Sequence, residues 1–218
     1  MIRVLLADDH AVVRAGLREI LSGTGDISVA GEATNGHEVL ERIRAADYDV
    51  AVLDMSMPGR SGIELIKQVK SERPKLRILV LTMHSEEQYA VRALRAGASG
   101  YLTKDSAAEQ LVAAIRRIAA GGAYVSAETA EQLARDAVPR TDAAPHTLLS
   151  DREFQVFRMI ADGKSIGEIA RQLSLSVKTV STHKTRILEK MNLSSPAELV
   201  RYALEHKLLD DPPGSSPQ

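Results

Sequence analysis

The chain has 218 residues, a formal net charge of −1 at pH 7 and no cysteine. Hydrophobic residues make up 44% of it and charged residues 26%, which is typical of a globular protein rather than a disordered one. The lack of cysteine excludes disulfides and thiolate metal sites, and no apolar run approaches the ~18 residues of a membrane span. We therefore expect a cytoplasmic protein of two domains that has no membrane partner.

Five short apolar runs alternate with amphipathic stretches over residues 1–122. The runs cover residues 2–7, 27–33, 49–53, 77–82 and 99–103, and they are rich in valine, isoleucine and leucine. Each run is followed by apolar residues at helical spacing. Strands that alternate with helices predict an α/β fold, a doubly wound five-stranded parallel sheet of the flavodoxin-like class. Because the runs are continuous in hydrophobicity, both faces of the sheet should be covered by helices.

Residues 123–147 join this unit to the next. A short charged helix pattern covers residues 126–137, and residues 138–147 contain two prolines and no periodicity, which indicates a linker. The final residues, 210–218, are polar and rich in proline, so we expect them to form a disordered tail.

Residues 148–209 carry clear signals for the starts of helices. Three serines precede a glutamate by three positions, which is the pattern of a capping box. They are Ser150, Ser165 and Ser195. A further helix, over residues 177–191, has Ser176 as its expected N-cap and follows the preceding helix after about three residues. Four helices with a tight turn between the middle pair predict an all-α helix-turn-helix domain.

Polar side chains follow four of the five predicted strands. They are Asp8 and Asp9 after the first strand, Asp54 after the third, Thr82 at the end of the fourth, and Lys104 after the fifth. The carboxyl ends of parallel strands meet at one edge of the sheet, so these groups should lie together. Three carboxylates in one place repel one another, and Mg²⁺ would relieve that repulsion. Taken singly, each residue is also explained as a turn, cap or solvated residue, but their order along the strand ends favours a shared site.

Within that site Asp54 is the candidate nucleophile, because it follows the central strand. Its carboxylate would form an aspartyl phosphate, while Thr82 would offer a hydroxyl and Lys104 a positive charge to the phosphoryl group. A phosphohydrolase with an aspartate nucleophile is the enzymatic alternative. That enzyme would need a general acid close to the nucleophile in sequence, and Met55-Ser56 supplies none.

Four segments resemble the motifs of the receiver domain of two-component response regulators. They are ADDH (7–10), VLDMSMPGRSG (52–62), LTMHS (81–85) and GYLTKD (100–105). The resemblance covers residues 1–122 and implies that Asp54 is the phosphoacceptor of a sensor histidine kinase. It further implies that Mg²⁺ binds Asp9, Asp54 and the backbone carbonyl of Ser56, with Asp8 acting through water.

The same resemblance assigns the remaining residues of the site. It implies that Lys104 contacts the phosphoryl group and that Thr82 is drawn toward it. Tyr101 is by this resemblance the switch aromatic that swings inward behind Thr82. His84, two residues after Thr82, is a candidate for setting how long the phosphoryl group lasts.

Residues 177–191, VKTVSTHKTRILEKM, are basic within a chain that is nearly neutral. On a helical wheel an apolar stripe that should face the core is formed by Val177, Val180, Ile187, Leu188 and Met191. A recognition helix inserts its N-terminal part into the major groove, so the other side of this helix is the candidate DNA contact. The predicted contacts with base edges are made by Lys178, Ser181, Thr182 and Thr185. The predicted contacts with phosphates are made by Lys184, Arg186 and Lys190, and Thr179 lies beside them. The alternative is an ordinary solvated helix face.

Residues 148–209 resemble the LuxR-type helix-turn-helix, through residues 149–191 and the following PAELVRYALEH. Together the two units resemble the NarL/FixJ class of response regulators. The resemblance implies a transcription regulator and not an enzyme, whose partners are double-stranded promoter DNA, a sensor histidine kinase and RNA polymerase. It also implies an active homodimer, for which the exposed face of residues 197–206 is the candidate contact. Phosphorylation would free or dimerise the helix-turn-helix so that it binds an inverted repeat.

Two other functions fit parts of the sequence. An atypical regulator of the same architecture would bind DNA constitutively or in answer to a protein partner, and the intact set of polar residues at the strand ends argues against it. A quorum-sensing regulator would share only the C-terminal unit. It would need a ligand pocket rich in aromatic residues, whereas the chain is only 3% aromatic.

Overall fold

The computed structural model describes residues 1–58, 62–83, 87–136, 144–206 and 208–209. The chain divides into two units, Met1–Arg135 and Asp136–Gln218. His84, residues 138–143 of the predicted linker and the predicted tail at 210–218 lie outside the described residues. Within the described part of the chain, no helix has both the length and the apolar composition needed to cross a membrane.

The first unit is a parallel sheet flanked by helices. Its strands are β1 (Ile2–Ala7), β2 (Ile27–Ala33), β3 (Val50–Asp54), β4 (Arg77–Thr82) and β5 (Gly100–Thr103). Its helices are α1 (Ala11–Ser22), α2 (Gly36–Ala45), α3 (Gly62–Glu72), α4 (Glu87–Arg95), α5 (Ala107–Ala119) and α6 (Ala127–Asp136). The strand order is β2-β1-β3-β4-β5, and all pairs are parallel. The predicted flavodoxin-like sheet is therefore confirmed.

Both faces of the sheet are buried, which explains why the strand sequences do not alternate. On one face, Val4 of β1 and Val52 of β3 belong to a core that includes Leu17 of α1 and Ile115 of α5. Along each strand, the alternate residues point to the other face of the sheet. In β3 these residues are buried as well, so that every residue of β3 is removed from solvent. Burying one such aliphatic side chain contributes about 1.5–3 kcal/mol, so burial of these strands stabilises the first unit.

The residues after α5 extend the sheet edge. Tyr124 forms a parallel bridge with Gly100, and its carbonyl oxygen accepts a hydrogen bond from the N–H of Tyr101 at 2.9 Å. Glycine is required here, because a Cβ on residue 100 would lie 2.8 Å from the Tyr124 carbonyl oxygen. The first unit therefore continues past residue 122, where the sequence analysis ends it, and includes most of α6.

The second unit is helical throughout its described part, as predicted. It contains a 3₁₀ turn at Pro145–Leu148 and the helices α7 (Asp151–Ala161), α8 (Ile166–Gln172), α9 (Val177–Met191) and α10 (Pro196–Glu205). Its fully buried core includes Phe154, Phe157, Ile169, Val180, Ile187 and Leu199. His146, which falls in the predicted linker, is buried, and its Nδ1 lies 2.7 Å from the hydroxyl of Tyr202. The packed part of this unit therefore begins before residue 148.

Side-chain caps set the starts of these helices. Two complete capping boxes pair Ser150 with Glu153 and Ser165 with Glu168, as predicted. Ser176 caps α9 by accepting a hydrogen bond from the N–H of Thr179. The third predicted box is only half formed, because the carboxylate of Glu198 accepts from the N–H of Ser194 instead of that of Ser195. The caps place the short turn between α8 and α9 where the sequence analysis expects it.

Candidate functional site

The carboxyl ends of β1, β3, β4 and β5 form one edge of the sheet, and polar residues meet there. Lys104 Nζ lies 2.7 Å from Asp8 Oδ2 and 3.1 Å from Asp54 Oδ2. Thr82 ends β4 opposite Thr103, and its carbonyl oxygen accepts a hydrogen bond from the N–H of Lys104 at 2.7 Å. We call this group, with Asp9, the acidic edge. Residues that are distant in sequence are brought together there by the parallel topology.

Asp8 and Asp54 are almost completely removed from solvent, each with 1% of its surface exposed. Asp8 Oδ1 accepts a hydrogen bond from the N–H of His10 at 2.8 Å, and Asp54 Oδ1 accepts one from the N–H of Ser56 at 3.2 Å. The other two oxygens face Lys104, and beyond that ion pair no hydrogen-bond donor among the described residues reaches them. The acidic edge thus buries two carboxylates against one ammonium and carries an excess of negative charge.

Burial raises the pKa of Asp54, because a buried carboxylate loses its hydration. The positive charge of Lys104 opposes this rise and the negative charge of Asp8 adds to it, so the pKa of Asp54 stays above its usual range. For Lys104, burial alone would lower the pKa, but the hydrogen bond to Asp8 and the charge of Asp54 outweigh burial and raise it. Lys104 therefore keeps its charge at neutral pH, and a further cation would relieve the charge of Asp54.

His10 completes the acidic edge, a role that the sequence alone does not predict. Its Nδ1 lies 2.9 Å from Asp9 Oδ1 and 3.3 Å from Asp8 Oδ1. Asp8, Asp9, His10 and Asp54 each offer one ligand atom, and these atoms lie within 4.8 Å of one another. The three carboxylates supply the hard oxygen donors that Mg²⁺ prefers, so the residues present fit a divalent cation. The signal lay in the motif ADDH, where a histidine directly follows two acids at a strand end.

Arg14 on α1 is a second residue that the sequence analysis missed. Its Nη1 donates a hydrogen bond to the carbonyl oxygen of Asp8 at 2.7 Å, and its Nε donates to Glu32 Oε2 at 3.2 Å. Glu32 on β2 also lies 2.9 Å from Arg18 Nη1. These contacts tie α1 and β2 to the backbone that carries Asp8 and Asp9. No local pattern predicts them, because the partners meet only through the packing of α1 beside β2.

Thr82 and Tyr101, the predicted switch pair, are both buried, with 0% and 9% of their surfaces exposed. Tyr101 lies on β5 opposite Val80, which is two residues before Thr82 on the neighbouring strand. The two residues therefore lie on adjacent strands near the acidic edge. Their movement during signalling stays a prediction.

The predicted DNA contacts on α9 are mostly open to solvent. Lys178, Thr179, Thr182, Thr185 and Arg186 are exposed, and Ser181 and Lys184 are half-buried. The apolar stripe is confirmed for Val180, Ile187 and Met191, which are buried, and it is wrong for Val177, which is 57% exposed. Val177 is the first residue of the helix, at the edge of the stripe. We call the seven polar residues above, together with Val177, the α9 surface.

Lys190, the last of the predicted phosphate contacts, pairs with a carboxylate of the same unit. Its Nζ donates a hydrogen bond at 2.6 Å to Oε2 of Glu153, a buried residue that also accepts from the N–H of Ser150. Burial alone would raise the pKa of Glu153, but the hydrogen bonds from Lys190 and Ser150 outweigh it and lower the pKa. The phosphate contact of Lys190 stays a prediction, and it would require this ammonium to leave Glu153. Its ammonium joins α9 to the start of α7 by pairing with a buried carboxylate.

Comparison with protein families gives a match for each unit. Residues 4–116 match the model of the response regulator receiver domain, and residues 147–203 match the model of the bacterial regulatory proteins of the luxR family. The response regulator UvrY of Escherichia coli strain K12 is 39% identical over 209 residues, which cover 95% of this chain and 96% of UvrY. The oxygen regulatory protein NreC of Staphylococcus carnosus is 40% identical over 215 residues, covering 95% and 99%.

Solved structures of one response regulator are also similar. RcsB of Salmonella typhimurium is 29% identical, with a TM-score of 0.72 over 94% of this chain and 97% of RcsB. A second RcsB structure, bound to a promoter in the presence of the phosphomimetic BeF₃⁻, has a TM-score of 0.68 over 92% of this chain and 97% of RcsB. Both units of the chain thus have counterparts joined in the same order.

Proposed function

The chain belongs to the NarL/FixJ-class response regulators, which join a receiver domain to a LuxR-type DNA-binding domain, and from this premise we propose that phosphorylation of Asp54 controls its binding to promoter DNA. The observation that carries the proposal is the position of Lys104 Nζ, within 3.1 Å of both Asp8 and Asp54. A buried aspartate beside a fixed ammonium is suited to take up a phosphoryl group.

In the proposed transfer, Asp54 attacks the phosphorus of a phosphohistidine on a sensor histidine kinase. The O–P bond to Asp54 forms as the N–P bond to the histidine breaks, and the imidazole leaves. Lys104 stabilises the negative charge on the phosphoryl oxygens, because its ammonium already lies beside Asp54. Asp9, Asp54 and the carbonyl of Ser56, with Asp8 acting through water, would hold Mg²⁺, which would supply further positive charge to the phosphoryl oxygens.

The response to phosphorylation is proposed to be a population shift. The hydroxyl of Thr82 turns toward the phosphoryl group, and Tyr101 on the adjacent strand follows it. Both side chains are buried, so their rearrangement repacks the β4–β5 side of the first unit. The repacked state favours a homodimer, or releases the second unit, and thereby raises the affinity for DNA.

The α9 surface is the proposed DNA contact. Its residues Lys178, Ser181, Thr182 and Thr185 would meet base edges, while Lys184 and Arg186 would meet phosphates. Two copies of α9, spaced by one turn of DNA (about 34 Å), would match an inverted repeat, with the exposed face of residues 197–206 as the dimer contact. RNA polymerase is the proposed further partner at the promoter.

The test compares binding to a pool of DNA fragments with and without acetyl phosphate and Mg²⁺. We expect enrichment of specific fragments to increase with the phosphodonor in the wild-type chain and to stay at the basal level in Asp54→Asn. Asp47→Asn, an exposed aspartate before β3, is the matched control and should respond like the wild type.

Equal enrichment with and without acetyl phosphate, together with no effect of Asp54→Asn, would overturn the phosphorylation switch. Such a result would favour the alternative regulator, which binds DNA in answer to a protein partner. Loss of all specific enrichment in every sample would instead overturn the role of the α9 surface.

A further inference from the structure

An exposed valine begins the recognition helix. Val177 is the first residue of α9, directly after its N-cap Ser176, and 57% of its surface is exposed. The core of this unit is complete without it, because Val180, Ile187 and Met191 of the same helix are buried. Because the N-terminal part of α9 is proposed to enter the major groove, this exposed side chain is placed where it can make an apolar contact with DNA.

The threonines of the α9 surface are less available as hydrogen-bond donors than their sequence implies. The hydroxyl of Thr182 donates to the carbonyl oxygen of Lys178 at 3.0 Å, and that of Thr185 donates to the carbonyl oxygen of Ser181 at 3.2 Å. The hydroxyl of Thr179 lies 2.8 Å from Ser176 Oγ in the cap. Because the hydroxyl protons of Thr182 and Thr185 are engaged by their own helix, these two threonines can offer DNA an acceptor oxygen and a methyl group.

We propose that α9 selects DNA through apolar contacts with thymine methyl groups, with Val177 as the main contact and the methyl group of Thr182 as the second. The proposal rests on the proposed DNA-binding function and names the chemistry by which the helix discriminates bases. Thymine is the only one of the four bases that carries a methyl group in the major groove. Aliphatic side chains and the methyl group of threonine recognise it by excluding water. Lys178, between the two, supplies charge but no preference for a methyl group.

The first experiment identifies the thymines that matter. Full-length protein with acetyl phosphate and Mg²⁺ is used to select fragments from random DNA, and each thymine of the selected site is then replaced by deoxyuridine, which lacks only the methyl group. We expect at least one replacement in each half-site to weaken binding of the wild-type chain about fourfold, as befits one buried methyl group.

The second experiment assigns the methyl contacts to residues. Val177→Ala removes two methyl groups, so it should bind the all-thymine site about 4- to 15-fold more weakly, depending on whether one or both are buried, and should no longer distinguish thymine from deoxyuridine at one position. Thr182→Ser, which removes only a methyl group from the protein, should lose that distinction at a neighbouring position. Folding is not in question for Val177→Ala, because the side chain is exposed and alanine is the better helix former.

The matched control is Leu148→Ala, which shortens another exposed aliphatic side chain of the same unit outside α9. It should keep the full thymine preference at every position. The dependence of affinity on salt should be the same for Val177→Ala and the wild type, because an apolar contact releases no counterions.

The outcomes separate this inference from the proposed function. Specific binding in which the wild type and Val177→Ala respond equally to every deoxyuridine would overturn the role of Val177. Specific binding that is indifferent to all deoxyuridine replacements would overturn recognition of methyl groups altogether. Absence of any selected sequence would overturn the DNA-binding function on which the inference rests.

Discussion

The acidic edge and the α9 surface are both polar, but they are constructed in opposite ways. At the acidic edge, buried charges that are far apart in sequence neutralise one another over 2.7–3.1 Å. On the α9 surface, exposed groups that are close in sequence form hydrogen bonds with their own helix. Removing one partner of a buried ion pair is costly, whereas exposed polar groups contribute little to stability. Substitutions at the acidic edge should therefore change folding, and those on the α9 surface should change binding alone.

Lys104→Met should have the largest effect. It leaves Asp8 and Asp54 buried without the ammonium that neutralises them, and we expect it to lower the free energy of unfolding by about 3–5 kcal/mol. Urea unfolding, followed through amide hydrogen exchange of β3 and β4, measures this loss. Lys75→Met, an exposed lysine before β4, is the control and should change stability by less than about 0.5 kcal/mol.

A second substitution tests the cause of that loss. Asp54→Asn in the Lys104→Met chain removes one of the two unpaired charges, so it should restore a large part of the stability. A double variant as unstable as Lys104→Met alone would show that the lost ion pair with Asp54 is not the reason.

Magnesium should stabilise the first unit, because it neutralises the excess negative charge of the acidic edge. At a Mg²⁺ concentration 100 times its Kd, the expected gain is about 2.7 kcal/mol, measured as a rise in Tm at constant ionic strength. Asp9→Asn should remove most of this rise, and Asp47→Asn should leave it intact. A full rise in Asp9→Asn would mean that the ion binds elsewhere.

The pair of Glu153 and Lys190 lies in the second unit but resembles the acidic edge, because its carboxylate is buried. The pKa of Glu153 is lowered in the folded chain, so its ionised form contributes stability above the unfolded value near 4.5. That contribution is lost as the pH falls through the lower, folded pKa. Glu153→Gln should therefore cost about 2 kcal/mol at neutral pH and make the unfolding of this unit less sensitive to acid.

Urea titrations at neutral pH and below pH 4, followed at the amides of α7 and α9, measure both effects. Glu189→Gln removes an exposed acid from α9 and should leave the pH dependence unchanged. If the stability of this unit fell as steeply with acid in Glu153→Gln as in the wild type, a carboxylate other than Glu153 would be responsible for the pH dependence.

The difference in construction also explains what the sequence could reveal. Asp8, Asp54 and Lys104 were predictable because topology alone brings the carboxyl ends of parallel strands together. The strands were predictable because both faces of the sheet are buried, which requires continuous apolar runs. For His10 the sequence shows only a histidine directly after two acids, because its contact with Asp9 depends on the direction of its side chain.

On α9 the helical spacing of apolar residues predicts correctly which residues are buried in the middle of the helix. It does not predict the surroundings of the residues at its two ends. Val177 continues the apolar spacing, yet the first residue of a helix lies where neighbouring helices need not cover it. Lys190 looks like a free cation in the sequence, but its partner Glu153 lies 37 positions earlier, on another helix. Such contacts depend on how helices pack, which local spacing does not determine.

The smallest expected effects distinguish Arg186 from Lys190, which carry the same charge on the same helix. Arg186 belongs to the α9 surface and is assigned to a phosphate, so Arg186→Ala should weaken DNA binding and reduce the slope of log affinity against log salt by about 0.9, the value for one phosphate contact. Lys190→Ala should leave that slope unchanged and lower the stability of the second unit, by less than Glu153→Gln because Lys190 is partly exposed. Anisotropy titrations of a selected site at several salt concentrations, with urea unfolding of the same proteins, measure both quantities. If both variants reduced the slope equally, Lys190 would have to exchange Glu153 for a phosphate on binding, and the buried pair would then belong to the DNA contact.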